Sequence, residues 1–275
     1  MSNHCVSIEE LIPLGERPIR KVGEHHVFVK GHNYKLVSET KIYRYMRLST
    51  LLDMLFYGKM HIPNRLDFTD LREKNGLNKL VEELSSFSSV PSYREKQIMK
   101  RMEKDRQRAL SLCVSCWTLD QRNNQTNDES FLMWRAYSKD DIVCRVGTTI
   151  GQLIDSVRGT SYDIIISDVD YKGEKEMMEY EDMVFRKSIY YEGEQEIRMV
   201  VLSDNKQGID LSIDIGKLLD EIKISPFVPP VLGFFLLKGL KEWCKKYKGV
   251  QIEYSNVMEY IETNKDYKIK KESYL

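Results

Sequence analysis

The chain has 275 residues, with 42 basic and 42 acidic side chains, 41% hydrophobic and 10% aromatic residues. This supports a globular core under a charged surface and excludes a disordered or fibrous chain. Cancelled charge gives no bulk pull toward nucleic acid or membrane, although a local basic face stays open. The five cysteines (Cys5, Cys113, Cys116, Cys144, Cys244) are odd in number and scattered. Cys113 and Cys116 form a C-x-x-C inside an apolar, strand-like run, and no second Cys or His pair stands at zinc-finger spacing. Reduced thiols and no metal site are expected. The N-terminus lacks a signal peptide's apolar core, and the run Val228 to Leu240 is short and broken by prolines and Gly233. The expectation is a soluble, cytoplasmic protein with no membrane partner.

Residues 1–30 read as an N-terminal extension with a strand at His26–Val29. A single α+β domain is expected over 31–260, followed by a charged tail at 261–275. Lys41 to Met46 is a β-prone run that carries Arg44 and Tyr45. Ser49 is placed to cap a helix over Thr50–Tyr57, Gly58 to stop it, and Lys59–Pro63 to follow as a strand. Charges thicken from Asp67 to Gly76, Leu77–Leu84 reads as helical, and Ser85–Pro91 as a break. Tyr93 to Leu110 reads as a helix dense in Arg and Lys, either a solvated face or a surface for an anionic partner. A buried strand is expected at Ser111–Thr118, with Ser115 and Trp117, then a polar loop at 120–128. Glu129–Tyr137 reads as a short helix bearing Trp134 and Tyr137. A strand follows at Ile142–Val146, a helix from near Thr149, a strand at Tyr162–Val169 and an acidic loop at 174–182. Helices are expected at Ile213–Ile222 and Val231–Lys248, with a closing strand at Val250–Tyr254. Strands and helices mix without regular βαβ alternation, so the class is α+β, with mixed, mostly antiparallel sheets and flanking helices.

Tyr190 to Val201 holds the densest chemistry. Ile197, Met199 and Val201 alternate as on a strand entering a core. Extending that strand backward would place Glu192, Glu194 and Glu196 on one side, about 7 Å apart. Three crowded carboxylates repel one another, so a cation must approach. It is either Arg198 or a lysine on a solvated edge, or a ligand's charge.

Ile42-Tyr43-Arg44-Tyr45, Ser115-Cys116-Trp117, Phe131-Leu132-Met133-Trp134 with Tyr137, and Glu194-Gln195-Glu196-Ile197-Arg198, in that order, resemble the bacterial domain-of-unknown-function 2971 family. The resemblance spans about Lys41 to Tyr254. It departs where that family shows Asn-Asp-Pro-Phe-Glu and this chain has Phe68-Thr69-Asp70-Leu71-Arg72-Glu73. The same skeleton is similar to the ADP-ribosyltransferase fold. That likeness implies an enzyme that cleaves NAD as its substrate and modifies a macromolecule, nucleic acid or protein, or that hydrolyses NAD. Carried over, it makes Glu196, Glu194 and Arg44 catalytic, with Arg44, Tyr45, Ser115, Trp117, Trp134 and Tyr137 around the cofactor. It further implies a toxin or anti-phage role with an antitoxin or defence partner. Two alternatives stay open: a nucleic-acid-binding or metal-dependent nucleic-acid-processing protein built on the 94–108 helix, and a non-catalytic interaction module. A site at His61, Asp67 and Asp70 is a further, lesser candidate.

Overall fold

A computed structural model describes residues 21–22, 25–65, 112–120, 129–138, 141–157, 159–171, 184–201, 203 and 207–258, with parts of 93–100. The expected elements between Asp67 and Pro91, most of the basic helix, the loops at 121–128 and 174–182 and the C-terminal tail lie outside the described residues.

The β-prone run becomes strand β3 (Lys41–Arg47), which passes directly into helix α1 (Leu48–Tyr57). Ser49 lies inside this helix. Arg47 occupies the N-cap with no side-chain cap bond, because the strand's last residue already holds the extended backbone a cap needs. Gly58 ends the helix at φ 62, a left-handed turn suited to glycine, and β4 (Lys59–Ile62) follows. Earlier in the chain lie β1 (Lys21–Val22) and β2 (His25–Lys30). After β4 come β5 (Cys113–Thr118), helix α2 (Phe131–Tyr137), β6 (Val143–Thr149), α3 (Ile150–Ser156) and β7 (Ile164–Asp168). Side-chain caps start both helices: Ser130 Oγ accepts the Met133 amide, and Thr149 with Gln152 forms a reciprocal capping box. Next are β8 (Glu196–Val201), β9 (Ile209–Ser212), α4 (Ile215–Leu218), β10 (Glu221–Ile224), α5 (Pro230–Cys244) and β11 (Gln251–Tyr254). The expected helix at 213–222 is thus one short helix followed by a strand. β10 is captured on both sides by β6 and β11, and this pairing outweighs the helical spacing of Ile215, Leu218, Leu219 and Ile222.

Nine strands form one sheet in the order β1-β2-β7-β8-β5-β3-β6-β10-β11, while β4 and β9 pair separately. Only β2–β7 and β10–β11 are parallel among the described pairs of the large sheet. The α+β, mostly antiparallel expectation is met. Residues 25–30 are part of this sheet through β7. Helices α1, α3, α4 and α5 bury apolar side chains against one face, with Ile42, Met46, Trp117, Ile197 and Met199. On the other face α2 packs through Trp134 against Tyr45 and Val143. That face also holds a buried polar network, in which Arg145 bonds Asp120 and Glu221, each at 2.9 Å, and Lys223 bonds Glu129 at 2.8 Å. Among the described residues, no helix is long and apolar enough to cross a membrane.

Candidate functional site

The sheet parts in its middle. β3 shares seven register pairs with β6 but a single one, Tyr43 with Thr118, with β5. At its other end β5 turns to residues 63–65 instead: Val114 N–H donates to Pro63, Arg65 N–H to Leu112, and Asn64 bridges Cys113. Arg44 therefore lies on β3, and Cys116 and Trp117 on β5, where the two strands diverge. The other side of β5 is fully zipped to β8, placing Thr118 opposite Glu196 and Cys116 opposite Arg198.

The acidic doublet is not a continuous strand. Ile189–Glu194 is a 3-10 helix, Gln195 follows at φ 46, and only Glu196 begins β8. Glu192 and Glu194 thus do not line one strand face with Glu196; the left-handed residue between them breaks the alternation. The turn is pinned: Leu119 N–H donates to Gln195 O at 3.0 Å, and Thr118 Oγ1 to Glu194 O at 2.6 Å. Asp120 (φ 45) is the other described non-glycine residue with positive φ. Both such residues flank this site, and backbone held in sparsely populated conformations concentrates where function constrains it.

A lysine the sequence did not single out still joins the two carboxylates. Lys187 Nζ lies 2.8 Å from Glu194 Oε2 and 3.1 Å from Glu196 Oε2, and 4.5 Å from the Tyr191 ring centroid. Arg198, two residues on and on the same face, donates from Nε to Glu196 Oε1 at 2.9 Å and from Nη2 to Oε2 at 3.3 Å, while Nη1 bonds Val184 O at 2.6 Å. Glu196 thus pairs with both Arg198 and a lysine, but buried within the sheet, not on the solvated edge that was the plainer expectation. No signal in the sequence marks Lys187, which follows Arg186 in a mixed stretch.

Burial alone would raise the Glu196 carboxyl, but Arg198, Lys187 and a hydrogen bond from Cys116 hold it down at about 2. The folded value lies below the ordinary one of 4.5, so this carboxylate stabilises the fold above about pH 4.5. The contribution is lost as pH falls through about 2. At about 1.36 kcal/mol per pKa unit, the loss is roughly 3 kcal/mol. Chemical unfolding between neutral pH and pH of about 2 checks it, and Glu196→Gln should flatten the profile.

Arg44 is half-buried, with its guanidinium carbon 6.0 Å from the Trp117 ring centroid. Desolvation pushes it down from its ordinary value, opposed by Cys116 and Tyr137, yet arginine stays a cation. β5 separates its strand from β8, and among the described residues no carboxylate pairs with it. Tyr137, 44% exposed, links the two sides. Burial raises its phenol to about 12, assisted by Cys116 and Glu196 and opposed by Arg44. The other expected cofactor residues are enclosed. Tyr45 donates its hydroxyl to Asp120 at 2.8 Å and meets Trp134 edge-on at 4.9 Å. Trp134, 0% exposed, donates its indole N–H to Glu129, and Trp117 donates to Ser115 Oγ at 3.0 Å. These four are buried; Arg44, Tyr137, Cys116, Glu194 and Lys187 reach solvent to some extent. Sequence reading also missed Cys116 as a partner of Glu196. Its C-x-x-C spacing puts Cys113 on the opposite face of β5, so the two thiols do not converge.

Elsewhere, exposed His61 pairs with Asp210 at 2.8 Å, while Asp67 and Asp70 lie outside the described residues. Among the described residues no group of three or more His, Cys, Asp or Glu side chains could hold a metal.

No family model and no curated protein matches this chain. Solved structures do. Thermus sp. 2.9 DarT in complex with ADP-ribosylated ssDNA matches at a TM-score of 0.37 and 11% identity, covering 81% of this chain and 97% of that one. The same protein with NAD+ matches at 0.36 and 11%, covering 80% and 98%, and with carba-NAD+ at 0.34 and 10%, covering 79% and 96%. At these values the likeness carries neither residue roles nor substrates to this chain. The motif resemblance to the domain-of-unknown-function family likewise rests on the quoted residues alone.

Proposed function

We propose that this site cleaves NAD and transfers ADP-ribose to a macromolecule. The observation that carries the reading is the parted β3–β5 seam: Arg44 leaves β3 on the face of Ile42 and Met46, Glu196 leaves β8 on the other face with Arg198, and both charges act on Tyr137. A structural ion pair explains Glu196 with Arg198. Arg44 stands beside the Trp117 ring with no carboxylate partner among the described residues, and its planar fork suits the two oxygens of a pyrophosphate.

In this reading Arg44 holds the pyrophosphate, and Tyr137 offers its exposed ring to the nicotinamide or adenine. Glu196 accepts a hydrogen bond from the ribose 2′-hydroxyl. Its fixed charge then stabilises the oxocarbenium-like transition state formed as the C1′–nitrogen bond breaks. The bonding pair leaves with nicotinamide and neutralises its ring. An acceptor O–H or N–H attacks C1′ and gives its proton to Glu194. Products are nicotinamide, a proton and the ADP-ribosylated acceptor.

Lys187 has a defined part here. A carboxylate offers about four acceptor sites, and Lys187, Arg198 twice and the Cys116 thiol already use them. One donor must yield to the ribose hydroxyl. Arg198 is wholly buried, whereas the Lys187 side chain is 11% exposed and has its shorter bond to Glu194. Lys187 therefore moves to Glu194 when NAD enters. Lys187→Met removes the shared cation, so the acid limb of the kcat–pH profile should move up by roughly 1–3 pH units. Arg44→Ala removes a charge-assisted contact and should weaken NAD binding by about 10- to 100-fold, measured calorimetrically.

The assay is purified protein with labelled NAD, alone and with single-stranded DNA, RNA or protein. Label on one polymer supports transfer and names the acceptor. Nicotinamide release alone points to hydrolysis, and no NAD binding or turnover rejects the proposal. A toxin or anti-phage effector restrained by a partner protein is the biological setting we propose, tested by whether expression arrests growth in a Glu196-dependent way.

A further inference from the structure

Exposed apolar side chains gather on α5, away from the parted seam. Its buried stripe is narrow, made of Gly233, Leu240 and Cys244. Tyr254 lies over Gly233, where an added Cβ would stand 2.7 Å from its ring. At about 100° per residue, Val231, Phe234, Phe235 and Lys238 turn to the opposite side. Val231 is 72%, Phe234 60% and Phe235 63% exposed. Trp243, 38% exposed, extends the apolar surface to Phe56 of α1, 68% exposed, at a ring distance of 6.2 Å. Exposed apolar side chains gathered on one element in this way mark an interaction site.

The charge around it is one-sided. Residues 229–249 carry Lys238, Lys241, Lys245, Lys246 and Lys248, all exposed, against Glu242 alone, in a chain whose formal net charge is zero. Glu242 is itself paired with Lys245. Bulk neutrality therefore hides a local basic face.

We propose that the outer face of α5 docks on an anionic lipid surface. Phenylalanines, valine and tryptophan beside lysines on one helix are the composition of helices that lie in a membrane interface. The lysines reach toward lipid phosphates while the aromatic rings enter the head-group boundary. The alternatives fit less well. A symmetric second copy would set lysine against lysine, and a peptide ligand seeks a groove, whereas these side chains project from the outside of a helix.

The test uses the full chain in sedimentation with phosphatidylcholine vesicles, with and without phosphatidylglycerol. Of the three tryptophans, Trp117 is 2% and Trp134 0% exposed, so a blue shift of emission reports Trp243. Binding only to phosphatidylglycerol-containing vesicles, with a blue shift and release by salt, is the expected result. Phe234→Ser with Phe235→Ser, and separately Lys238→Glu with Lys241→Glu, should each weaken it at least about tenfold, with circular dichroism unchanged. Failure of the wild-type chain to bind anionic vesicles overturns the proposal, so it does not hang on a variant's folding. Equal binding to neutral vesicles also overturns it. So does an α5-dependent dimer, or α5-dependent capture of an acidic protein, by a chain that leaves vesicles alone.

Discussion

Glu196→Gln should lower the single-turnover rate of nicotinamide release by about 10²–10³, the usual cost of losing a preorganised electrostatic partner of a transition state. The substitution keeps the shape and removes the charge. NAD affinity should change far less, because Arg44 and Tyr137 are untouched and the ribose hydroxyl can still be accepted by the amide oxygen. Stability should fall as well, since Arg198 and Lys187 lose the anion between them. The rate is therefore read well below the melting temperature, with NAD binding measured on the same sample. A fall in kcat with a preserved Kd is the expected pattern; an unchanged rate would remove Glu196 from the chemistry.

Arg198→Ala should destabilise the fold by about 3–5 kcal/mol, the range for stranding one member of a buried ion pair. Arg198 is wholly buried at the centre of the sheet and bonds Glu196 and the Val184 carbonyl. Its loss leaves Glu196 with Lys187 and the Cys116 thiol as the partners seen here. Replacing the pair together, Glu196→Leu with Arg198→Met, should recover much of that stability, because well-packed apolar side chains cost no charge desolvation. The double variant should be stable and inactive, which separates the pair's structural role from its chemical one. Urea unfolding of the single and double variants checks both parts.

The framework of the site is legible in the sequence because strand alternation marks β3 and β8 directly. Ile42 and Met46 flank Arg44 on its face, and Ile197, Met199 and Val201 define the buried side opposite Arg198. What lies between those strands is not legible. The alternation rule carried the doublet back through Glu194 and Glu192, but Gln195 adopts a left-handed backbone that no residue type in Gly-Glu-Gln-Glu demands. Lys187 becomes a partner because residues 184–187 run beside Asp170, just after β7, with the Val184 carbonyl on Arg198. The parting of β3 from β5 depends on residues 63–65 claiming one end of β5, a non-local pairing invisible to local pattern. The family resemblance makes Tyr45 and Trp134 cofactor residues; that the Tyr45 hydroxyl bonds Asp120 and the Trp134 indole bonds Glu129 on the α2 face of the sheet is not legible locally.

The central claim is that NAD enters where β3 leaves β5. A crystal structure with a non-cleavable NAD analogue tests it most directly. The account predicts pyrophosphate oxygens on the Arg44 guanidinium, the ribose 2′-hydroxyl within hydrogen-bond distance of Glu196, and Lys187 drawn to Glu194. An analogue bound elsewhere, or a saturated crystal with the seam empty and Lys187 still bridging both carboxylates, would contradict it.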